Sequence, residues 1–256
     1  MQGNLRIQWL LIHKKGSIML EIKNFSKSYT NGKKAVDNLN LTVEAGEICG
    51  FIGHNGAGKS TTIRSVVGVL DFTEGDIFID GHSVRREPLE CKSVTAYIPD
   101  NPDLYEHLTG IQYLNFIADI FGIEEAVRTE AIKKYGDMFE ITSDLGSLIS
   151  SYSHGMKQKV AIISALIHKP KLLVLDEPFV GLDPKAALTL KNIMKEMCAA
   201  GSAIFFSTHV LEVAQKLCDK IAIIKQGSIV AFGKMEELVQ DSSLEEVFME
   251  VTENAK

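Results

Sequence analysis

The stretch GFIGHNGAGKSTT carries two glycines, a lysine and a serine at the spacing G-x-x-x-x-G-K-S, as Gly53, Gly58, Lys59 and Ser60. Glycines let successive backbone N–H groups curl around phosphate oxygens, and the loop hands those donors on to a helix N-terminus. Lys59 supplies a mobile positive charge for the β- and γ-phosphates of a nucleotide. The Ser60 hydroxyl is a ligand for Mg²⁺. The whole run Gly53, His54, Asn55, Gly56, Ala57, Gly58, Lys59, Ser60 and Thr61 is therefore expected to contact the cofactor. It follows a short apolar run and opens a helical one, which is the context this chemistry requires.

A second chemical signal is the carboxylate pair in LLVLDEP, Asp176 and Glu177, closing another apolar run before Pro178. In a doubly wound sheet, carboxylates at the C-terminal end of a parallel strand stand beside the phosphate loop. Asp176 is placed to reach Mg²⁺ through water. Glu177 is the candidate general base that activates a water against the γ-phosphate. A third stretch, SYSHGMKQKVAIISALI (residues 151–167), runs from a polar turn into an amphipathic helix. Helix N-termini attract anions, yet no phosphate loop is near this one in sequence.

The elements that must position these groups follow from periodicity. Strands are expected over residues 20–29, 36–43 (a second strand or a bulged pair), 47–52, 75–81, 171–176 and 203–208, and a hairpin over 220–233 with Gly227 in its turn. Helices are expected over residues 59–69, 109–122, 124–139, 185–199 and from about 210, with one or two short ones over 234–251. Thr109 reads as an N-cap and Gly122 as a stop. The alternation of strand and helix gives an α/β fold with a mostly parallel sheet. Residues 100–165 read as a helical subdomain inserted into it.

Length and composition suit one large globular domain. A net charge of −6 argues against a nucleic-acid partner. Cys49, Cys91, Cys198 and Cys218 form no C-x-x-C pair, which fits reduced thiols rather than a zinc site or a disulfide framework. No run approaches the roughly 18 apolar residues of a spanning helix. Residues 1–18 read as an N-terminal extension, with translation starting at Met19 and a domain over 19–251 followed by a tail, 252–256.

Taken in order, GHNGAGKST, SHGMKQ, LLVLDEPFVGLDP and FFSTH resemble the ATP-binding subunits of ABC transporters, over Leu20 to about Phe248. The resemblance implies a P-loop NTPase with an antiparallel β subdomain and the helical insertion. It implies ATP and Mg²⁺ as cofactors and ATP hydrolysis as the reaction. Two such subunits, alike or different, pack head to tail around two ATP molecules and drive separate transmembrane permease subunits. The motor then sits on the cytoplasmic face of the membrane.

Carried over by position, Tyr152–Met156 matches the family's signature Leu-Ser-Gly-Gly-Gln. Ser153 and the Gly155 backbone would meet the γ-phosphate bound by the other subunit. Asp183 matches the loop that crosses the dimer interface. His209 matches the histidine that contacts the γ-phosphate and aligns the water. Tyr29 matches the aromatic that stacks on adenine.

Two positions depart from the pattern. Asp100 stands where the family has a glutamine that senses Mg²⁺ and water; an ionised Asp can bind the metal but donates no hydrogen bond. His154 replaces the first signature glycine. The motif HGMKQK and the acid after YIP look most like ABC-2-type exporters and their Ecs-like branch. The soluble ATPases of this kind that act on DNA or ribosomes carry coiled-coil insertions or two cassettes, and this chain shows neither. The loop around Tyr105 and Leu108 is the expected docking point for the permease.

Overall fold

β3 (Ile48–Ile52), β7 (Leu172–Asp176) and β8 (Ala203–Thr208) are buried at every position, as continuous apolar runs require when a sheet is covered on both faces. β9 (Lys220–Lys225) is buried along nearly its whole length. Successive side chains alternate between two cores. Cys49, Phe51, Val174, Phe205 and Ile224 enter one; Ile52, Leu175, Phe206 and Ile223 enter the other. Each such side chain contributes about 1.5–3 kcal/mol on burial. A one-residue slip would turn every one of them to the wrong core.

The structure, a computed structural model, describes residues 16–29, 32, 34–240 and 242–254. Its main sheet has the order β10-β9-β3-β8-β7-β6, with β6 (Thr95–Ile98) and β10 (Ser228–Lys234) at the edges. All pairings are parallel except β10 with β9. A separate antiparallel sheet has the order β2-β1-β4-β5, from β1 (Ile18–Ser28), β2 (Lys34–Glu44), β4 (Glu74–Ile79) and β5 (His82–Ser83).

α1 (Lys59–Val66) follows the glycine loop and α2 (Pro88–Val94) precedes β6. The inserted segment holds α3 (Gly110–Ile120), α4 (Glu125–Met138) and α5 (His154–Leu166), with two short 3₁₀ turns between α4 and α5. α6 (Pro184–Ala199) and α7 (Leu211–Leu217) alternate with the last core strands. α8 (Met235–Val239) and α9 (Leu244–Asn254) complete the chain's described helices.

Thr109 caps α3 as expected, and does so reciprocally. Its hydroxyl accepts from Gln112 N while Gln112 Oε1 accepts from Thr109 N. α1 stops at Val66, short of the expected Val69. Val69 N and Leu70 N both turn back to the Arg64 carbonyl, with Gly68 at φ +69°. The periodicity of the sequence did not reveal α2, β5 or β6. Each is too short to complete a pattern, and β6 exists because β7 offers it a parallel edge. β1 takes in Ile18, and the Ser17 carbonyl accepts from Ala45 N at 2.8 Å, so strand pairing starts ahead of Met19. Residues 1–15 of the expected extension, and 255–256 of the tail, lie outside the described residues.

Candidate nucleotide site

Because β3 ends at Ile52 in the middle of the sheet, the Gly53–Lys59 loop emerges at the C-terminal edge, where open α/β sheets place their ligands. Its glycines answer to neighbouring backbone as well as to any phosphate. A Cβ on Gly53 would stand 2.4 Å from the Ile224 carbonyl oxygen. Gly58 sits at φ +114°, and a Cβ there would stand 2.7 Å from the Ala35 oxygen. The β9–β10 turn braces the loop. Gly227 N donates to the Ala57 carbonyl at 2.8 Å, and Asp37 N donates to the Gly227 carbonyl at 2.9 Å.

Lys59 is buried, and its Nζ donates to the carbonyls of Gly53 (2.6 Å) and His54 (3.3 Å). Burial lowers its pKa, and the carboxylates of Glu177 and Asp176 oppose that shift. One pocket joins Lys59 and Ser60 to Asp176, Glu177, Asp100 and Tyr29. Tyr29 OH lies 3.2 Å from Thr61 Oγ1, and the residue stays 44% exposed, which leaves its ring available to a planar partner. Lys34 and Gln226 also line the pocket. No motif marks them. Gln226 is there because the turn after β9 falls beside β3, a consequence of strand order that a linear reading does not show.

Asp176 is almost fully buried. Its Oδ1 accepts from Ser207 Oγ at 2.5 Å, while Oδ2 has no protein partner. An orphaned buried carboxylate oxygen is costly unless something pairs with it. Opposite a serine hydroxyl and a phosphate loop, the donor set fits Mg²⁺, which binds through one or two protein oxygens plus substrate phosphates and water. Asp100 stands exposed on the rim of the same pocket, its Oδ1 accepting from Asn101 N.

Glu177 adopts φ +49°, in the left-handed region where non-glycine residues are held only by their surroundings. Two contacts hold it: its N donates to Ser207 Oγ at 3.1 Å, and its Oε2 lies 3.0 Å from His209 Nδ1. Ser207 thus serves both residues, donating to the Asp176 carboxylate and accepting from the Glu177 backbone N–H. It faces Asp176 in the β7–β8 register, and that register was the signal that could have singled it out. Replacing Ser207 with Ala strands the Glu177 N–H. We expect a fall in kcat of about tenfold and a stability loss of about 1–3 kcal/mol, as for a buried donor left unsatisfied, read by steady-state kinetics and urea unfolding.

Ser153, Gly155 and Asp183 do not line this pocket. Ser153 caps α5, its hydroxyl accepting from Met156 N. Asp183 caps α6 through Ala186 N at 2.8 Å and pairs with Lys159 Nζ at 2.9 Å; both contacts hold its pKa down. His154 packs its ring on Gly181, where a Cβ would meet His154 Cδ2 at 2.4 Å. The imidazole occupies the space that a side chain at 181 would need, so this histidine joins α5 to the loop behind Glu177.

The ABC transporter family profile matches residues 36–180, which include the phosphate loop, the 153–158 motif and the carboxylate pair. The chain belongs to the ABC transporter family. It is 35% identical over 239 residues to the ABC-type transporter ATP-binding protein EcsA of Bacillus subtilis (strain 168), spanning 91% of this chain and 96% of that protein. It is 34% identical over 224 residues to the linearmycin resistance ATP-binding protein LnrL of the same organism, spanning 86% and 70%. A solved ATP-binding subunit of an ABC transporter superposes with a TM-score of 0.87 at 36% identity, covering 91% of this chain and 99% of that one. As an ABC ATP-binding subunit, the protein hydrolyses ATP and couples that reaction to transport through membrane subunits. Among the described residues no helix is long and apolar enough to cross a membrane.

Proposed function

We propose that this subunit drives export from the cytoplasmic face of the membrane as half of a head-to-tail ATPase dimer. One observation carries the dimer. The phosphate loop, both carboxylates and His209 gather on one side of the chain, while the capped N-terminus of α5 stays outside that pocket. That helix end favours an anion, and this chain's own pocket would hold the γ-phosphate apart from it. A second copy, or a close relative, satisfies both.

In this reading Gly53–Thr61 wrap the phosphates and Tyr29 stacks on adenine. Ser60, Asp176 and the exposed Asp100 hold Mg²⁺ or its water. The metal, when bound, neutralises charge that develops on the phosphate oxygens. Lys59 exchanges its carbonyl contacts for the β- and γ-phosphates. Glu177 takes the proton of the attacking water, and His209, in contact with its carboxylate, aligns that water. Ser153 and the Gly155 backbone close the site from the other subunit, with Asp183 in the crossing loop. The resistance function in LnrL's name supports the outward direction. The net charge of −6 gives nucleic acid little to hold.

The permease is expected on the helical insertion. Tyr105 is half-exposed and meets Tyr113 and Phe116 edge-on at 6.0 and 5.7 Å. Phe116 and Ile120, one turn apart on α3, extend this apolar patch at 40% and 63% exposure. Leu108, named beside Tyr105 from sequence, is half-buried and tied to Ile149 N through its carbonyl, so Phe116 takes its place in the patch. Tyr105→Ala is expected to lower co-purification of the membrane subunit by about tenfold, as removal of an aromatic anchor does, and to abolish transport while sparing basal ATPase. Undiminished transport and co-purification in that variant would refute the docking site. Ribosomes or DNA in place of a membrane protein would refute the transport role itself.

A further inference from the structure

The C-terminal helix α9 repeats apolar residues at helical spacing: Leu244, Val247, Phe248 and Val251 pack on the core, while Glu245, Glu246, Met249 and Glu250 face outward. That face does more than bury area. At its start, Leu244 N donates to Gln215 Oε1 on α7, the helix that follows His209. At its end, the Thr252 carbonyl accepts from Lys225 Nζ, at the end of β9, whose turn braces Ala57. Between these anchors, the Phe248 ring meets the His54 ring edge-on, with centroids 5.0 Å apart and planes at 65°.

His54 belongs to the phosphate loop. Its side chain is exposed, but its carbonyl accepts from both Lys59 Nζ and Ala57 N. The tilt of the His54 peptide therefore sets where Lys59 rests and how the loop curls. Phe248 is buried and shares a second cleft with His54, Asn55, His209 and Leu211. One aromatic side chain thus touches the phosphate loop and borders the histidine loop.

We infer that Phe248 is a positioning residue for ATP binding: through His54 it fixes the phosphate loop in its receptive curl and ties that loop to the His209 segment. This rests on the reading of Gly53–Thr61 as the ATP site. Phe248→Leu keeps an apolar core residue but removes the aromatic edge. Loss of such a contact predicts an ATP Kd raised about 3- to 10-fold, with kcat at saturating ATP little changed. Phe248→Tyr should restore the parental Kd.

A double-mutant cycle with His54→Ala separates positioning from folding. In that background Phe248→Leu should raise the Kd no further, because its partner is already gone. An equal rise in both backgrounds, or a Kd within twofold of parental for Phe248→Leu alone, overturns the inference while leaving the ATP site intact. Lys59→Ala is the reference. If it binds ATP as the parental chain does, the loop is not the ATP site and the inference falls with that reading.

Discussion

Glu177→Gln is expected to slow ATP hydrolysis by about 10²–10⁴-fold, the usual cost of removing a general base, while ATP binding persists. The amide matches the carboxylate in size and can still face His209, so the fold and the pocket should survive. What it loses is the capacity to take a proton. The assignment to Glu177 rather than Asp176 follows from their partners. Asp176 is almost fully buried, with one oxygen spent on Ser207 and the other suited to a cation. Glu177 is only partly buried, and the His209 imidazole lies 3.0 Å from its carboxylate. The check is phosphate release under saturating ATP, together with size-exclusion chromatography. The variant should accumulate as an ATP-bound dimer because the step that reopens it is missing. Hydrolysis at the parental rate would falsify the base assignment.

Much of this site is legible in the sequence because its chemistry is local. The phosphate loop, the carboxylate pair and His209 each sit at the end of a buried strand, and buried strands announce themselves as apolar runs. The parts that stay hidden depend on strand order. Ser207 becomes important only when β8 lies beside β7 and sets its hydroxyl between Asp176 and Glu177. Gln226 reaches the pocket, and Gly227 braces the loop, only because β9 is the neighbour of β3. β6 and α2 are too short for periodicity to detect, and β6 is defined by its pairing with β7. His154 departs from a glycine pattern and has no evident role in one dimension. In three, its ring fills the place above Gly181 that a side chain would otherwise contest.

Mixing two inactive chains is expected to restore hydrolysis if, as proposed, each active site takes its parts from two subunits. Ser153→Asp is the informative partner for Lys59→Ala. Ser153 is exposed and caps α5, and Asp caps a helix as well as Ser does, so α5 should keep its start. The new carboxylate would stand where the γ-phosphate of the other subunit's ATP has to come, and like charges set against each other cost several kcal/mol. Each variant alone loses both sites of its homodimer. In a mixed dimer the Lys59→Ala chain offers an intact α5 to the intact phosphate loop of the Ser153→Asp chain, and one of the two sites is whole. Equal mixing makes half the dimers mixed, so activity should return to about a quarter of parental for independent sites in a two-fold interface. If the partner is a related chain rather than a second copy, the variants must be placed one on each. A mixture no more active than its components would mean that α5 does not complete the site of another subunit. The anion at its N-terminus would then have to be sought within one chain, where Ser153 lies outside the phosphate pocket.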